Sequence, residues 1–206
     1  MDITEWLEIY KKIVKDLKID ETMDYEARNL ILRLGKDRML DYKILKDKIY
    51  NKSVAVIGFA IKNNELDKIN EDVLITSGKS VIKIKELKRD FIPDVHVTDL
   101  EEEDLIPKLE KNGCIIVAHA HGDNIKKIKK VIPKLSRFIA TTQVAPIYKV
   151  YNFGGFTDGD RAALLAKKMG AKKVTLYGFD FENVLNSKKR KKMKWAKYIL
   201  QKEGII

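Results

Sequence analysis

The sequence predicts an α/β fold: an open, mostly parallel sheet packed by helices, with a helical N-terminal arm. From residue 53 onward, short apolar runs alternate with charged segments of helical length and spacing, the order that strand–helix–strand units impose. Most of these runs are continuously apolar rather than alternating, as strands buried on both faces of a parallel sheet require. The first 50 residues carry helical spacing alone.

The arm reads as three helices. Trp6, Ile9, Tyr10, Ile13 and Leu17 recur at helical spacing with Lys and Asp between them. Asp20 offers an N-cap for a second helix carrying Tyr25, Leu30, Ile31 and Leu34, ended by Gly35. A third, over 38–50, holds Leu40, Ile44 and Ile49. No clustered chemistry is visible there, so the division is an arm over 1–50 and an α/β catalytic domain over 51–206. Strands are expected over 54–59, 73–77, 95–100, 115–120, 138–143, 150–153 and 173–179. Helices are expected over 61–70, 79–89, 102–112, 124–135 and 158–170, joined to the strands by right-handed crossovers. A basic helix over 187–202 closes the domain.

A chain of 206 residues with 45% apolar and 34% charged residues builds one sizeable core and is not disordered. The net charge of +11 suits either nucleic acid or the steering of a polyanion such as ATP. The densest basic run, 188–194, has no interleaved aromatics as single-strand binding would want. It reads as a solvated helix face, and no nucleic-acid partner is expected. Cys114 is the one cysteine, so no disulfide forms within the chain, a reducing compartment fits, and the thiol reads as a small buried hydrophobe. No apolar stretch reaches the ~18 residues of a membrane span, and MDITEW lacks the basic and apolar regions of a signal peptide. A cytoplasmic protein without a membrane partner is expected. Related folds often associate, so a homodimer is admitted.

In open α/β sheets, ligands bind beyond the carboxyl ends of the strands. The third expected strand ends in Thr98-Asp99-Leu100-Glu101, whose alternating Asp99 and Glu101 project to one side if the strand continues. Such paired carboxylates are hard-oxygen ligands for Mg²⁺. Glu102 and Glu103 read as the acidic first turn of the next helix. The fourth ends in His119-Ala120-His121-Gly122-Asp123-Asn124, where Asp123 or Asn124 caps a helix and the two histidines read as site residues. The sixth runs through Asn152, Gly154, Gly155, Thr157, Asp158, Asp160 and Arg161. Adjacent glycines let backbone approach a ligand, a helix N-terminus attracts an anion, and nearby carboxylates call for a bridging metal. Thr142, after the fifth strand, offers a hydroxyl.

Ser77-Gly78-Lys79-Ser80 resembles the end of a P-loop, but the required earlier glycine is replaced by Val73. The histidine string is similar to that of dinuclear metal hydrolases, yet the chain holds only three histidines. A metal-dependent hydrolase using His119, His121 and Asp123 is one alternative, and a basic nucleic-acid-binding module is another.

Thr98-Asp99-Leu100, the 119–124 string and Gly155-Phe156-Thr157-Asp158-Gly159-Asp160-Arg161-Ala162-Ala163 together resemble the archaeal 6-hydroxymethyl-7,8-dihydropterin pyrophosphokinases. Their catalytic domain is Rossmann-like and similar to that of thiamine pyrophosphokinase. The resemblance spans about residues 51–180. It departs from the family pattern at Glu101 and Glu102, at Gly58-Phe59-Ala60 and at Ser77. It implies that ATP gives its β,γ-diphosphoryl group to the pterin hydroxymethyl oxygen, leaving AMP, for methanopterin or folate-type coenzyme synthesis. It also implies Mg²⁺ on Asp99, with Asp123, Asp158 and Asp160 lining the metal–triphosphate site. Such transfer asks for positioning and charge neutralisation. His119 or His121 could take the hydroxyl proton, and Arg161 could hold phosphate.

Overall fold

The computed structural model describes residues 1–87, 91–182 and 186–206. Seven strands form one sheet: β1 Ser53–Ile57, β2 Val73–Ser77, β3 Val95–Thr98, β4 Ile115–Ala120, β5 Ile139–Thr142, β6 Val150–Tyr151 and β7 Lys173–Tyr177. Their order is β6-β5-β4-β3-β2-β1-β7, and all six pairings between them are parallel. The helices are α1 Ile3–Leu17, α2 Glu21–Gly35, α3 Lys43–Ile49, α4 Asn63–Leu66, α5 Ser80–Leu87, α6 Ile106–Lys111, α7 Ile125–Val131, α8 Asp158–Lys168 and α9 Ser187–Lys202.

The order dictates which face each helix covers. Strands β1 to β6 step across the sheet in one direction, and right-handed crossovers taken in one direction leave their helices on one face. Accordingly α5, α6 and α7 pack with Ile116, Ala118, Ala120 and Ala140, and Ile84 and Leu66 pack with Ile57. The connection from β6 to β7 runs back across the whole sheet, which puts α8 on the opposite face. There Ala162, Ala163, Leu164, Leu165 and Ala166 meet Val54, Val56, Val73, Ile75, Val95 and Val97. The small alanines let α8 lie close under the middle strands, so its N-terminus opens beneath the ends of β2 and β3.

The helical N-terminal region shares these cores. Trp6, Ile9, Tyr10 and Ile13 of α1 and Leu45 and Ile49 of α3 join the α8 face together with Ile199 and Leu200 of α9. Ala27, Leu30 and Ile31 of α2 join the other face. The Asp20 side chain accepts the Thr22 N–H as N-cap of α2. The third helix starts at Lys43 rather than at residue 38, because Leu40 N–H donates to Phe138 O at 2.8 Å and Met39 bridges Phe138 beside β5. The last two residues of the segment expected helical over 79–89 lie outside the described residues. Among the described residues no helix is long and apolar enough to cross a membrane.

Candidate active site

A cleft of about 420 Å³ opens at the carboxyl ends of β3 and β4 and the start of α8, with the α1–α2 turn and α9 as its further walls. Asp99, His121, Asp123, Thr157, Asp158 and Arg161 all line it.

Asp99 does not sit on a continuing strand. β3 stops at Thr98 because Leu100 takes a left-handed backbone, φ 69°, with its N–H on Thr98 Oγ1 at 2.8 Å. That turn separates Asp99 from Glu101, which ion-pairs outside the cleft with Lys79 at 2.7 Å and Lys127 at 3.3 Å. The expected Asp99/Glu101 pairing on one side of a strand is therefore replaced by a different one. The side chain that joins Asp99 is Asp158, which feels the Asp99 charge and a hydrogen bond from the Asp99 backbone across the β3–α8 junction. Asp158 Oδ1 lies 3.0 Å from Arg161 Nη1. Its Oδ2 would stand 2.8 Å from a Cβ at residue 78, so Gly78, with φ 50°, admits it.

The two carboxyls are driven apart. Burial pushes the Asp158 carboxyl well above the usual range, and the charge of Asp99 adds to this against the pull of Arg161. Burial acts on Asp99 in the same sense, but the hydrogen bond and charge of His121, with Arg161 and Lys127, hold it below the ordinary value. Neighbouring carboxyls with opposed shifts are typical of sites that handle charge. His121 Nδ1 accepts the Asp123 N–H at 3.3 Å, which leaves Nε2 as the protonated nitrogen, 3.4 Å from Asp99 Oδ2.

Arg161 is fixed on three sides. Besides Asp158, its Nη2 donates to Phe156 O at 2.7 Å and to Gln143 Oε1 at 3.2 Å. The double glycine serves this arginine more than the cleft. Gly155 has φ 93°, and a Cβ there would stand 2.6 Å from Arg161 N and Cα. Gly154, φ 82°, packs on Leu164, and its N–H donates to Asn152 Oδ1 at 2.9 Å while Asn152 Nδ2 donates to Val144 O at 2.8 Å. Neither glycine nor Asn152 lines the cleft. Thr142 is buried, and its Oγ1 accepts the Val144 N–H at 3.4 Å.

Asp160 is a cap. Its Oδ2 accepts the Phe156 N–H at 2.6 Å, its Oδ1 accepts the Thr157 N–H at 2.7 Å, and the Thr157 hydroxyl also donates to it. It is fully buried and does not face the cleft, and burial raises its pKa despite those bonds. His119 is likewise buried, with Nδ1 3.0 Å from Thr141 Oγ1. Burial, then the charges of Arg161 and His121, push its imidazole well below the usual value.

Glu102 does not begin a helix. α6 starts at Ile106, and Glu102 is buried with Oε2 accepting from Thr98 Oγ1 at 2.6 Å and lying 3.4 Å from His96 Nε2. Asp24, on the helical region where no chemistry was expected, lines the cleft. Its Oδ1 accepts the Gly122 N–H at 2.7 Å and its Oδ2 accepts from Tyr10 Oη. Tyr10 Oη in turn accepts from Gln143 Nε2 at 2.8 Å. A hydrogen-bonded chain thus runs from Gly122 through Asp24, Tyr10 and Gln143 to Arg161.

The family model described as 6-hydroxymethylpterin diphosphokinase MptE-like matches residues 42–184, which hold every carboxylate and histidine of the cleft except those of the α1–α2 wall. The chain belongs to the 6-hydroxymethylpterin diphosphokinase MptE-like family. Three proteins named 6-hydroxymethyl-7,8-dihydropterin pyrophosphokinase are similar to it. That of Methanocaldococcus jannaschii is 37% identical over 88% of this chain and 80% of its own length. That of Pyrococcus furiosus is 33% identical over 96% and 92%. That of Methanothermobacter thermautotrophicus is 31% identical over 94% and 84%. The α1–α2 turn and α9 fall outside the stretch that the MptE-like model matches.

Among the described residues no three His, Cys, Asp or Glu side chains converge to hold an ion alone. This weighs against a histidine-built zinc centre. It leaves room for Mg²⁺, which usually takes one or two carboxylates and completes its shell with water and phosphate oxygens. Asp99 and Asp158 fit that donor set, because a cation between them would offset both the burial and the repulsion that raise the Asp158 pKa.

Proposed function

We propose that this chain transfers diphosphate from ATP to 6-hydroxymethyl-7,8-dihydropterin, giving the pterin diphosphate and AMP, for tetrahydromethanopterin or folate-type coenzyme synthesis in the cytoplasm. The observation that carries the reading is the Asp99–Asp158 carboxyl pair, set between His121 and Arg161 in one cleft of a chain that belongs to the MptE-like family.

In this reading the pterin hydroxymethyl oxygen bonds to the β-phosphorus as the bond from that phosphorus to the oxygen bridging the α-phosphate breaks. AMP leaves with that oxygen. His121 accepts the hydroxyl proton at Nδ1 as that nitrogen releases the Asp123 N–H, while Nε2–H stays on Asp99, which orients the ring and stabilises its charge. Arg161, already fixed by Gln143 and the Phe156 carbonyl, places positive charge beside the transferring group without reorganising. Asp99 and Asp158 would hold Mg²⁺, which when bound neutralises phosphate charge. Asp123 stands at the cleft rim as a further oxygen donor, whereas Asp160 and Glu101 act as cap and ion-pair partner. Incubation with ATP, Mg²⁺ and the hydroxymethyl dihydropterin tests the proposal: AMP and pterin diphosphate are expected, and ADP, or no pterin diphosphate, counts against it.

A further inference from the structure

The basic run of α9 does not lie on one solvated face. Lys188 and Lys192, one turn apart, and Lys189 line the cleft together with Met193. Lys192 Nζ stands 5.8 Å from the centroid of the Phe156 ring, immediately before the cap of α8, and Lys189 Nζ stands 5.9 Å from that of Phe59, after β1. Other lysines of the same helix are neutralised. Lys191 pairs with Asp16 at 2.9 Å, Lys197 with Glu182 at 3.1 Å and Lys202 with Glu5 at 2.7 Å. Among the described residues no carboxylate pairs with Lys188, Lys189 or Lys192. In particular, no ion pair joins them to Asp99, Asp123 or Asp158 across the cleft. The helix that carries the three ammonium groups is anchored by Ala196, Ile199 and Leu200 in the core.

A cleft with carboxylates on one wall and unpaired ammonium groups on the facing wall suits a ligand that is anionic and travels with a divalent cation. A bare anion would be repelled by the first wall and a bare cation by the second. We propose that Lys188, Lys189 and Lys192 form a polyphosphate clamp facing the Asp99–Asp158 pair, gripping the phosphate oxygens of a cation-bound nucleotide. This deepens the nucleotide reading above and rests on it. It concerns a segment beyond the residues that the family model matches.

The test compares two triple variants with the intact chain, K188A/K189A/K192A and, among the paired lysines, K191A/K197A/K202A. Calorimetry with Mg²⁺ present measures the dissociation constants of ATP and, separately, of inorganic tripolyphosphate, and steady-state assays measure KM for the pterin. The cleft variant is expected to bind both phosphates about tenfold more weakly or worse, at unchanged pterin KM and unchanged melting temperature, because charge-assisted contacts are lost. The paired-lysine variant is expected to stay within about twofold. Unchanged phosphate binding by the cleft variant overturns the clamp while leaving the reaction standing. An intact chain that binds neither phosphate overturns clamp and nucleotide reading together. If the alanine variant misfolds, K188Q/K189Q/K192Q, which keeps the side-chain length, decides by the same readouts.

Discussion

The Asp99 carboxylate is the neighbour that, after burial itself, does most to raise the pKa of the Asp158 carboxyl. A cation bound between the two would offset that repulsion and favour the ionised form of Asp158.

Asp158→Asn should raise stability while removing activity. With its pKa raised, folded Asp158 keeps a proton over a pH range in which the unfolded chain has lost it. Its contribution is therefore largest at low pH and falls as pH rises from the ordinary aspartate value of 3.8 towards the folded value. The substitution removes that penalty, so the melting temperature at pH 7 is expected to rise by a few degrees, as relieving an active-site strain does. Turnover should drop by about two orders of magnitude or more. A lower melting temperature would contradict the assignment.

Asp99→Asn should leave the fold intact and lower kcat by about 10²-fold or more, since it removes both the oxygen pair and the partner of His121. His121→Ala should lower kcat by about 10² to 10⁴ with little change in the KM for ATP. Equal losses in kcat and binding for His121→Ala would show that it grips substrate instead of moving a proton.

His119 should behave as a neutral core residue. Its imidazole is pushed well below 6.5, so below that pH the unfolded chain takes up a proton that the folded chain refuses. Stability then falls by up to about 1.4 kcal/mol per pH unit from this group. Denaturant unfolding at pH 7.5 and 5.5 should show a smaller loss for His119→Gln than for the intact chain. The His119 resonance should not titrate between pH 8 and 6.

Gly155 and Gly113 share the backbone angle φ 93°, but a Cβ at 113 would meet nothing within 4 Å whereas one at 155 would meet the Arg161 backbone at 2.6 Å. Gly113→Ala should cost only about 1–2 kcal/mol, the conformational penalty. Gly155→Ala should cost clearly more and reduce activity at least tenfold by displacing Arg161. Equal costs would disprove the close approach.

Much of the frame was legible because buried parallel strands are short, continuous and punctuated: β2 over 73–77 and β4 over 115–120 match the sequence pattern residue for residue, as do Asp20 and Gly35 around α2 and the span of α9. The failures around β3 share a cause, which is that neither composition nor spacing encodes a left-handed turn on a bulky residue. Leu100 ends β3 early, parts Glu101 from Asp99 and swings Glu102 into the core. Periodicity shows that α9 has faces but not which one the tertiary fold turns inward. Lys188 and Lys191 look alike in the sequence, and only one lines the cleft. Asp24 carries no local signal at all, since its partners Tyr10 and Gly122 come from remote segments.

β7 pairs along its full length with β1, so the last strand of the chain closes on the first. The link that brings them together is the long return across the sheet, and that return contains α8, whose first residue supplies one carboxyl of the Asp99–Asp158 pair. Contacts between segments so distant in the chain form slowly, after local pairings are complete. The strands from β1 to β6 can assemble neighbour by neighbour, so a ribosome-bound chain still lacking β7 would leave one edge of β1 without its partner.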